Sequence, residues 1–203
     1  LAFLQRKQFA LASKTAKINK ELENEIQQRF KLEATLKELA ATDPLTGLLN
    51  RREYEMLFIH EMERARRTNT VLSIGIVDLD HFKKVNDTYG HGVGDEVLRR
   101  AATLCRENLR TMDIIGRLGG EEFVILLPET SIENASFIGK RLLEVLGATD
   151  IQAGAGIIKI TATIGISQLL PDDQDFNAVI QRADTALYRG KTAGRNRVEV
   201  NLI

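Results

Sequence analysis

The stretch "VLSIGIVDLD", residues 71 to 80, does most to limit what this chain can fold into. It is short, rich in β-branched residues, apolar almost throughout, and it ends in carboxylates. Such a strand has no face to give to water, so it belongs in the middle of a sheet that is covered on both sides. The sequence around it alternates accordingly. "ATDPLTGLLNRREYEMLFIHEMERARRTNT" opens on Asp43-Pro44, where the proline disfavours helical geometry in the residue before it. A helix is predicted from there to about Arg67, with Leu48, Leu49, Tyr54, Leu57 and Phe58 turned inward. After the central strand, "GVGDEVLRRAATLCRENL" reads as a helix. Residues 112 to 117 and 122 to 128 read as strands joined by a tight hairpin at Leu118, Gly119, Gly120 and Glu121. "SIENASFIGKRLLEVLG" is a helix whose start is signalled by Ser131 and Asn134. "IIKITATIGISQL" is a further strand, "DFNAVIQRADTALYRGKTAG" a helix and "NRVEVN" a last strand. Strands alternating with helices, plus one hairpin, predict an α/β sandwich.

Residues 1 to 41 are different in kind. They contain no glycine or proline and are rich in Ala, Lys, Glu, Gln and Leu, which predicts one long helix ahead of a globular domain at 42 to 203. Heptad spacing gives a seam of Leu11, Ile18, Leu22, Leu32, Leu36 and Leu39, interrupted by Thr15, Glu25 and Arg29. Ile26 and Phe30 offer a shifted seam, as a stutter does. A lone amphipathic helix of this length has nothing to bury its stripe against. A parallel two-chain coiled coil, hence a homodimer, is the expected solution, and packing back onto the globular part is the alternative.

Bulk properties exclude several functions. Lys+Arg and Asp+Glu both number 28, so no global field recruits nucleic acid, and a phosphate ligand needs a local site. The single Cys105 cannot form an internal disulfide, and it falls on the apolar stripe Val93, Val97, Leu98, Ala101, Leu104 as a small core residue. No apolar stretch approaches the roughly 20 residues of a membrane span, and no signal-peptide pattern is present. The chain begins at Leu1 and reads as a fragment. A cytoplasmic location is expected for it, with an upstream sensor domain missing and inner-membrane tethering open for the full-length protein.

Chemistry concentrates in "DLDHFKKVNDTYGHGVGDEVL", residues 78 to 98, and in the hairpin "RLGGEEF". Asp78 ends the central strand, where side chains meet the crevice outside the carboxyl ends of a sheet. Glu121 on the hairpin can face it from the neighbouring strand. Two carboxylates so close repel unless a cation separates them. Carboxylates with a backbone carbonyl are what Mg²⁺ uses when it also holds substrate phosphates. Gly119 and Gly120 give backbone access for a nucleotide, and Lys83, read here as lying on a loop, neutralises phosphate charge. Either motif alone suits a solvated strand end; both on adjacent strands do not.

These residues resemble the GGDEF-domain diguanylate cyclases. "DPLTGLLNRR", "DLDHFKKVNDTYGHGVGDEVL", "RLGGEEF", "ATIGIS" and "ADTALYRGKTAGRN" stand in that family's order and spacing, from residue 43 to about 200. The resemblance implies a nucleotidyl-cyclase, palm-like domain with a central mixed five-stranded sheet flanked by helices. It implies a dimeric enzyme joining two GTP molecules, one on each of two facing domains, into cyclic di-GMP with release of pyrophosphate. Asp78, Glu121 and the Leu79 carbonyl are then the ligands of Mg²⁺, or of Mn²⁺ in its place. Glu121 also helps deprotonate the 3′-hydroxyl, Glu122 supports the metal or the ribose end, and Lys83 steadies the triphosphate. The His81 and Phe82 backbone lies at the phosphates, and Lys191 and Arg195, four residues apart and read as one helical turn, face the phosphate tail. Asn86 and Asp95 read guanine: Asp95 accepts from N1–H and the exocyclic amine, a pair adenine cannot present. Glu121 stands where the family name has Asp, one methylene longer but the same ligand type.

"RTMD", residues 110 to 113, stands five residues ahead of the hairpin glycines and resembles the family's RxxD inhibitory product site. Arg110 is then expected to pair with phosphate and stack on guanine, Asp113 to hold a base edge, and Arg141 to add a contact from a neighbouring domain. A non-catalytic cyclic di-GMP receptor using only Arg110 and Asp113 is the second reading. His60, His81 and His91 lack metal-ligand spacing, and Arg117 is expected to cap the hairpin electrostatically.

Overall fold

A computed structural model of the chain describes residues 2–39, 41–153 and 156–201, in two units: Leu1–Ala40 and Ala41–Ile203. The first is helix α1 (Ala2–Leu39). The Ile18, Leu22, Ile26, Phe30, Leu32 and Leu36 side chains stand exposed along it, while those of Leu11, Thr15 and Leu39 lie outside the described residues. Glu25 and Arg29, which interrupt the heptad seam, pair with each other along the helix at 3.0 Å.

The second unit is built on a mixed sheet. Its elements are β1 (Leu49–Asn50), α2 (Arg51–Thr68), β2 (Leu72–Leu79), α3 (Phe82–Tyr89), α4 (His91–Glu107), β3 (Ile114–Gly119), β4 (Glu122–Pro128) and α5 (Ile132–Ala148). A small β5–β6 pair (Ile151–Ala153, Gly156–Ile158), β7 (Ala162–Gln168), α6 (Phe176–Thr192) and β8 (Val198–Asn201) complete it. The sheet order is β1-β3-β4-β2-β7-β8, with β2 antiparallel to both of its neighbours. Every residue of β2 is buried, as its unbroken apolar run requires. Strand alternation divides it between two cores: Leu72, Ile74 and Ile76 pack with Tyr54, Phe58, Phe176 and Val179 of α2 and α6, whereas Val77 and Leu79 pack with α4 and α5. Cys105 belongs to the second core, and burial pushes its thiol up to about 12.

Three expectations are corrected. The sheet has six strands, because two residues read as part of a helix, Leu49 and Asn50, pair in parallel with Gly116 and Arg117. "IIKITATIGISQL" is not one strand. Asp80 bonds both the carbonyl and the hydroxyl of Thr161, so β7 starts beyond that anchor, and residues 156–158 run back along Ile151–Ala153. Residues 82 to 89 form a helix, so Lys83 lies on α3 rather than on a loop. That helix has only eight residues and no side-chain cap, and although Phe82, Val85 and Tyr89 stand at helical spacing, the segment is too short for that spacing to announce it.

Candidate active site

Asp78 sits one residue from the end of β2, and its register partner in β4 is Glu122. Asp78 follows Ile74 and Ile76, and Glu122 precedes Val124 and Leu126, at alternate positions of the α2/α6 core, so alternation turns both carboxylates toward the α6 side. Glu121 lies in the turn just before, and its carbonyl accepts from the Leu79 amide at 3.4 Å, which hooks the hairpin to the end of β2. Lys191, at the end of α6, donates to Asp78 Oδ2 at 2.8 Å.

This corner carries surplus negative charge. Burial raises the Asp78 carboxyl; Lys191 opposes that, while the charges of Glu121 and Asp80 add to it. Burial likewise raises Glu122, and Asp78 raises it further, against Lys191 and with Asp184 and Glu121 contributing. An all-oxygen corner with one lysine among several carboxylates suits a hard divalent cation. Among the described residues, no group of three or more His, Cys, Asp or Glu side chains is arranged to hold a metal alone. One or two carboxylates completed by substrate phosphate oxygens is the pattern Mg²⁺ adopts beside a nucleotide.

His81 takes the left-handed conformation at φ 57° and turns the chain sharply into α3. The first amides of α3, at Phe82 and Lys83, therefore start beside the end of β2, where a helix N-terminus suits anionic oxygens. Asn86 lies on α3 and Asp95 on α4, and sequence reasoning missed what brings these helices together. A Cβ at Gly94 would collide with the Asn86 amide and come within 3.2 Å of the Phe82 ring. Glycine in "GVGD" is the signal that carried this.

Asp80 was also passed over. It is buried and accepts from the Thr161 and Thr163 hydroxyls, both at 2.7 Å, and from the Asn196 amide at 3.0 Å. Those partners lie far along the chain, so from sequence alone Asp80 reads only as an aspartate near a carboxylate cluster. Asp80 pins the turn that carries Leu79 and His81.

Arg117 clamps the hairpin, as expected. Its Nε and Nη2 donate to the Gly120 carbonyl at 3.1 and 2.7 Å, across a turn where Gly119 and Gly120 have φ of 150° and 52°. Its Nη1 also pairs with Asp43 at 3.0 Å, which ties "DPLTG" to the same turn. Burial alone would raise Asp43, but hydrogen bonds from Thr46 and Arg117 outweigh it and hold the carboxyl below its usual range.

The helical pairing of Lys191 with Arg195 does not hold. Helix α6 ends at Thr192, because Gly194, Arg195 and Asn196 all take positive φ. Arg195 leaves the helix and stands exposed, its amide bonded to the Gly190 carbonyl at 3.0 Å.

In "RTMD" the Arg110 amide, not its guanidinium, donates to Asp113 Oδ2 at 2.8 Å, and the Asp113 amide returns a bond to the Arg110 carbonyl. The Arg110 side chain stands exposed. Asp113 Oδ1 is buried without a hydrogen-bond partner, an acceptor waiting for a donor. Arg141 reaches this loop within the same chain, donating to the Asn108 carbonyl at 2.6 Å.

Known proteins are similar to this chain in sequence and fold. Diguanylate cyclase DgcP of Pseudomonas aeruginosa is 43% identical over 161 residues, 79% of this chain and 24% of that protein. The chain thus spans about a quarter of that relative, and 36% of the response regulator PleD of Caulobacter vibrioides. Among solved structures, the active GGEEF domain of a diguanylate cyclase from Vibrio cholerae aligns with a TM-score of 0.71 at 34% identity, covering 76% of this chain and 97% of that one. The GGDEF domain of DgcB from Caulobacter crescentus, in complex with c-di-GMP, aligns with a TM-score of 0.76 at 30% identity, covering 79% and 95%. The family described as "Diguanylate cyclase, GGDEF domain" matches residues 40–197, and this chain belongs to it.

Proposed function

We propose that the domain condenses two GTP molecules into cyclic di-GMP and pyrophosphate, as a Mg²⁺-dependent homodimer restrained by its own product. The observation that carries this reading is the corner where Asp78 faces Glu122, with Glu121 on the hooked turn beside them. Each 3′-oxygen forms a bond to the other nucleotide's α-phosphorus, the bond from that phosphorus to the bridging oxygen breaks, and pyrophosphate leaves. The 3′-hydroxyl proton goes to Glu121, a half-buried carboxylate in reach of solvent. Asp78, Glu121 and the Leu79 carbonyl would hold a Mg²⁺, which when bound would supply Lewis-acid polarisation of the phosphate. Lys83 and the α3 amides hold the triphosphate, Arg195 steadies its tail, and Lys191 joins it on release from Asp78. Asn86 and Asp95 orient guanine.

Incubation of the protein with GTP and Mg²⁺ is expected to yield cyclic di-GMP and pyrophosphate, read by chromatography. Tight binding of cyclic di-GMP with no synthesis would instead establish the receptor reading.

Product restraint rests on Arg110, Asp113 and Arg141. The orphan Asp113 oxygen is a ready acceptor for a guanine N–H, and the exposed Arg110 guanidinium is free to meet a phosphate. Arg110→Ala is expected to weaken cyclic di-GMP binding about ten-fold or more, since a charged hydrogen bond contributes about 1.5–3 kcal/mol. Equal affinities by titration calorimetry would mean that product binds elsewhere.

A further inference from the structure

Two nucleotides react, yet the corner at Asp78 serves the phosphates of one. The nucleoside of the other has to lie on surface next to Glu122. Helix α6 borders that surface. Lys191 reaches Asp78 from its last turn, Tyr188 precedes Lys191 by three residues and Asp184 precedes Tyr188 by four, so the three share one side of the helix. The α6 residues Val179, Ala183 and Leu187, about a third of a turn away, are buried in the core, whereas Tyr188 is 67% exposed and Asp184 is also exposed. Asp184 stands seven residues, two helical turns, before Lys191 on that side of α6. Among the described residues the Tyr188 ring belongs to neither buried core. A flat aromatic with a polar tip, next to a carboxylate, is chemistry suited to a nucleoside: base against ring, sugar hydroxyl to carboxylate.

From this arrangement we infer that Tyr188 and Asp184 of one copy seat the guanosine of the GTP held by the second copy, ring against base and carboxylate to a ribose hydroxyl. The inference rests on the two-GTP condensation proposed above and adds a contact made across the dimer. It explains why an exposed aromatic stands at this point of α6, one turn from a residue bonded to Asp78. Tyr188 then orients the incoming 3′-hydroxyl without touching the nucleotide of its own domain.

Tyr188→Ala and Tyr188→Phe in the whole chain separate these roles. Two quantities are measured: affinity of dilute protein for a non-hydrolysable GTP analogue, and cyclic di-GMP turnover at saturating GTP across a range of protein concentrations. For Tyr188→Ala, analogue affinity is expected to stay within about two-fold and turnover to fall about ten-fold or more at every protein concentration. Tyr188→Phe keeps the ring and is expected to retain most of the turnover. Turnover of Tyr188→Ala within about two-fold of the parent overturns the inference. So does an equal fall in analogue affinity, which would place Tyr188 at its own domain's nucleotide, or a deficit that vanishes at high protein, which would make it a dimer contact only. Absence of cyclic di-GMP from the parent itself would instead remove the proposed function, and this contact with it.

Discussion

Glu121→Gln is expected to leave a folded protein that makes essentially no cyclic di-GMP. Glu121 is half-buried and belongs to neither core, and its backbone rather than its side chain hooks the turn to Leu79. Glutamine keeps its length and shape, so thermal stability is expected to stay close to that of the parent. What disappears is one negative charge at the point where a cation and a 3′-hydroxyl proton both need it. Loss of a single preorganised group of this kind costs about 10²–10³ in turnover, and Glu121 is assigned two such roles. Activity is measured from pyrophosphate release at saturating GTP, with guanine-nucleotide binding and the melting temperature as controls. Turnover within a few-fold of the parent would remove Glu121 from the reacting corner. Asp78→Asn is a less clean probe. Asp78 is buried and bonded to Lys191, so its replacement disturbs packing and charge together.

Much of the domain was legible because its signals are local. The apolar run of β2 demanded a central strand, and Gly119-Gly120 demanded a turn with positive φ. Ser131 and Asp175 cap α5 and α6 by accepting from Asn134 and Ala178, three residues on in each case. What escaped depends on partners distant in the chain. Asp80 reads as one more acidic residue until Thr161, Thr163 and Asn196 arrive to bind it. Arg117 was placed correctly on the hairpin, but its bond to Asp43, 74 residues earlier, has no sequence signature. Lys191 and Arg195 show the opposite error. A spacing of four suggests a shared helical face, yet Gly194 ends that helix before the second residue is reached. The α3 helix was missed for lack of length and cap, although Phe82 and Val85 share one side of it and it starts at the sharp turn after Asp80 that the site requires.

Deletion of residues 1 to 41 is expected to leave a folded domain that is largely monomeric and nearly inactive when dilute. The second unit has its own two cores, and the sheet, its helices and the Asp78 corner all lie within Ala41–Ile203. Its fold therefore does not depend on α1, and nucleotide binding is expected to survive. Synthesis is different, because under the proposed condensation each domain would present one GTP and two domains would have to meet face to face. A parallel coiled coil through Ile18, Leu22, Leu32 and Leu36, all exposed on α1, would hold two domains at a mutual effective concentration of the order of millimolar. Without it, encounters follow the bulk concentration, so specific activity is expected to rise with protein concentration and to be about a hundred-fold or more below the parent at nanomolar protein. Ile26 and Phe30 are exposed on the same helix and offer a second seam, while Glu25 and Arg29 of the first are paired with each other. We propose that the helix is poised between two registers, and that an upstream input choosing between them turns the facing domains toward or away from one another. The experiment compares sedimentation and specific activity of the parent and the deletion from nanomolar to high micromolar protein. A deletion variant as active per molecule as the parent at nanomolar concentration would mean that α1 is not what brings the two domains together, and the register mechanism would fall with it.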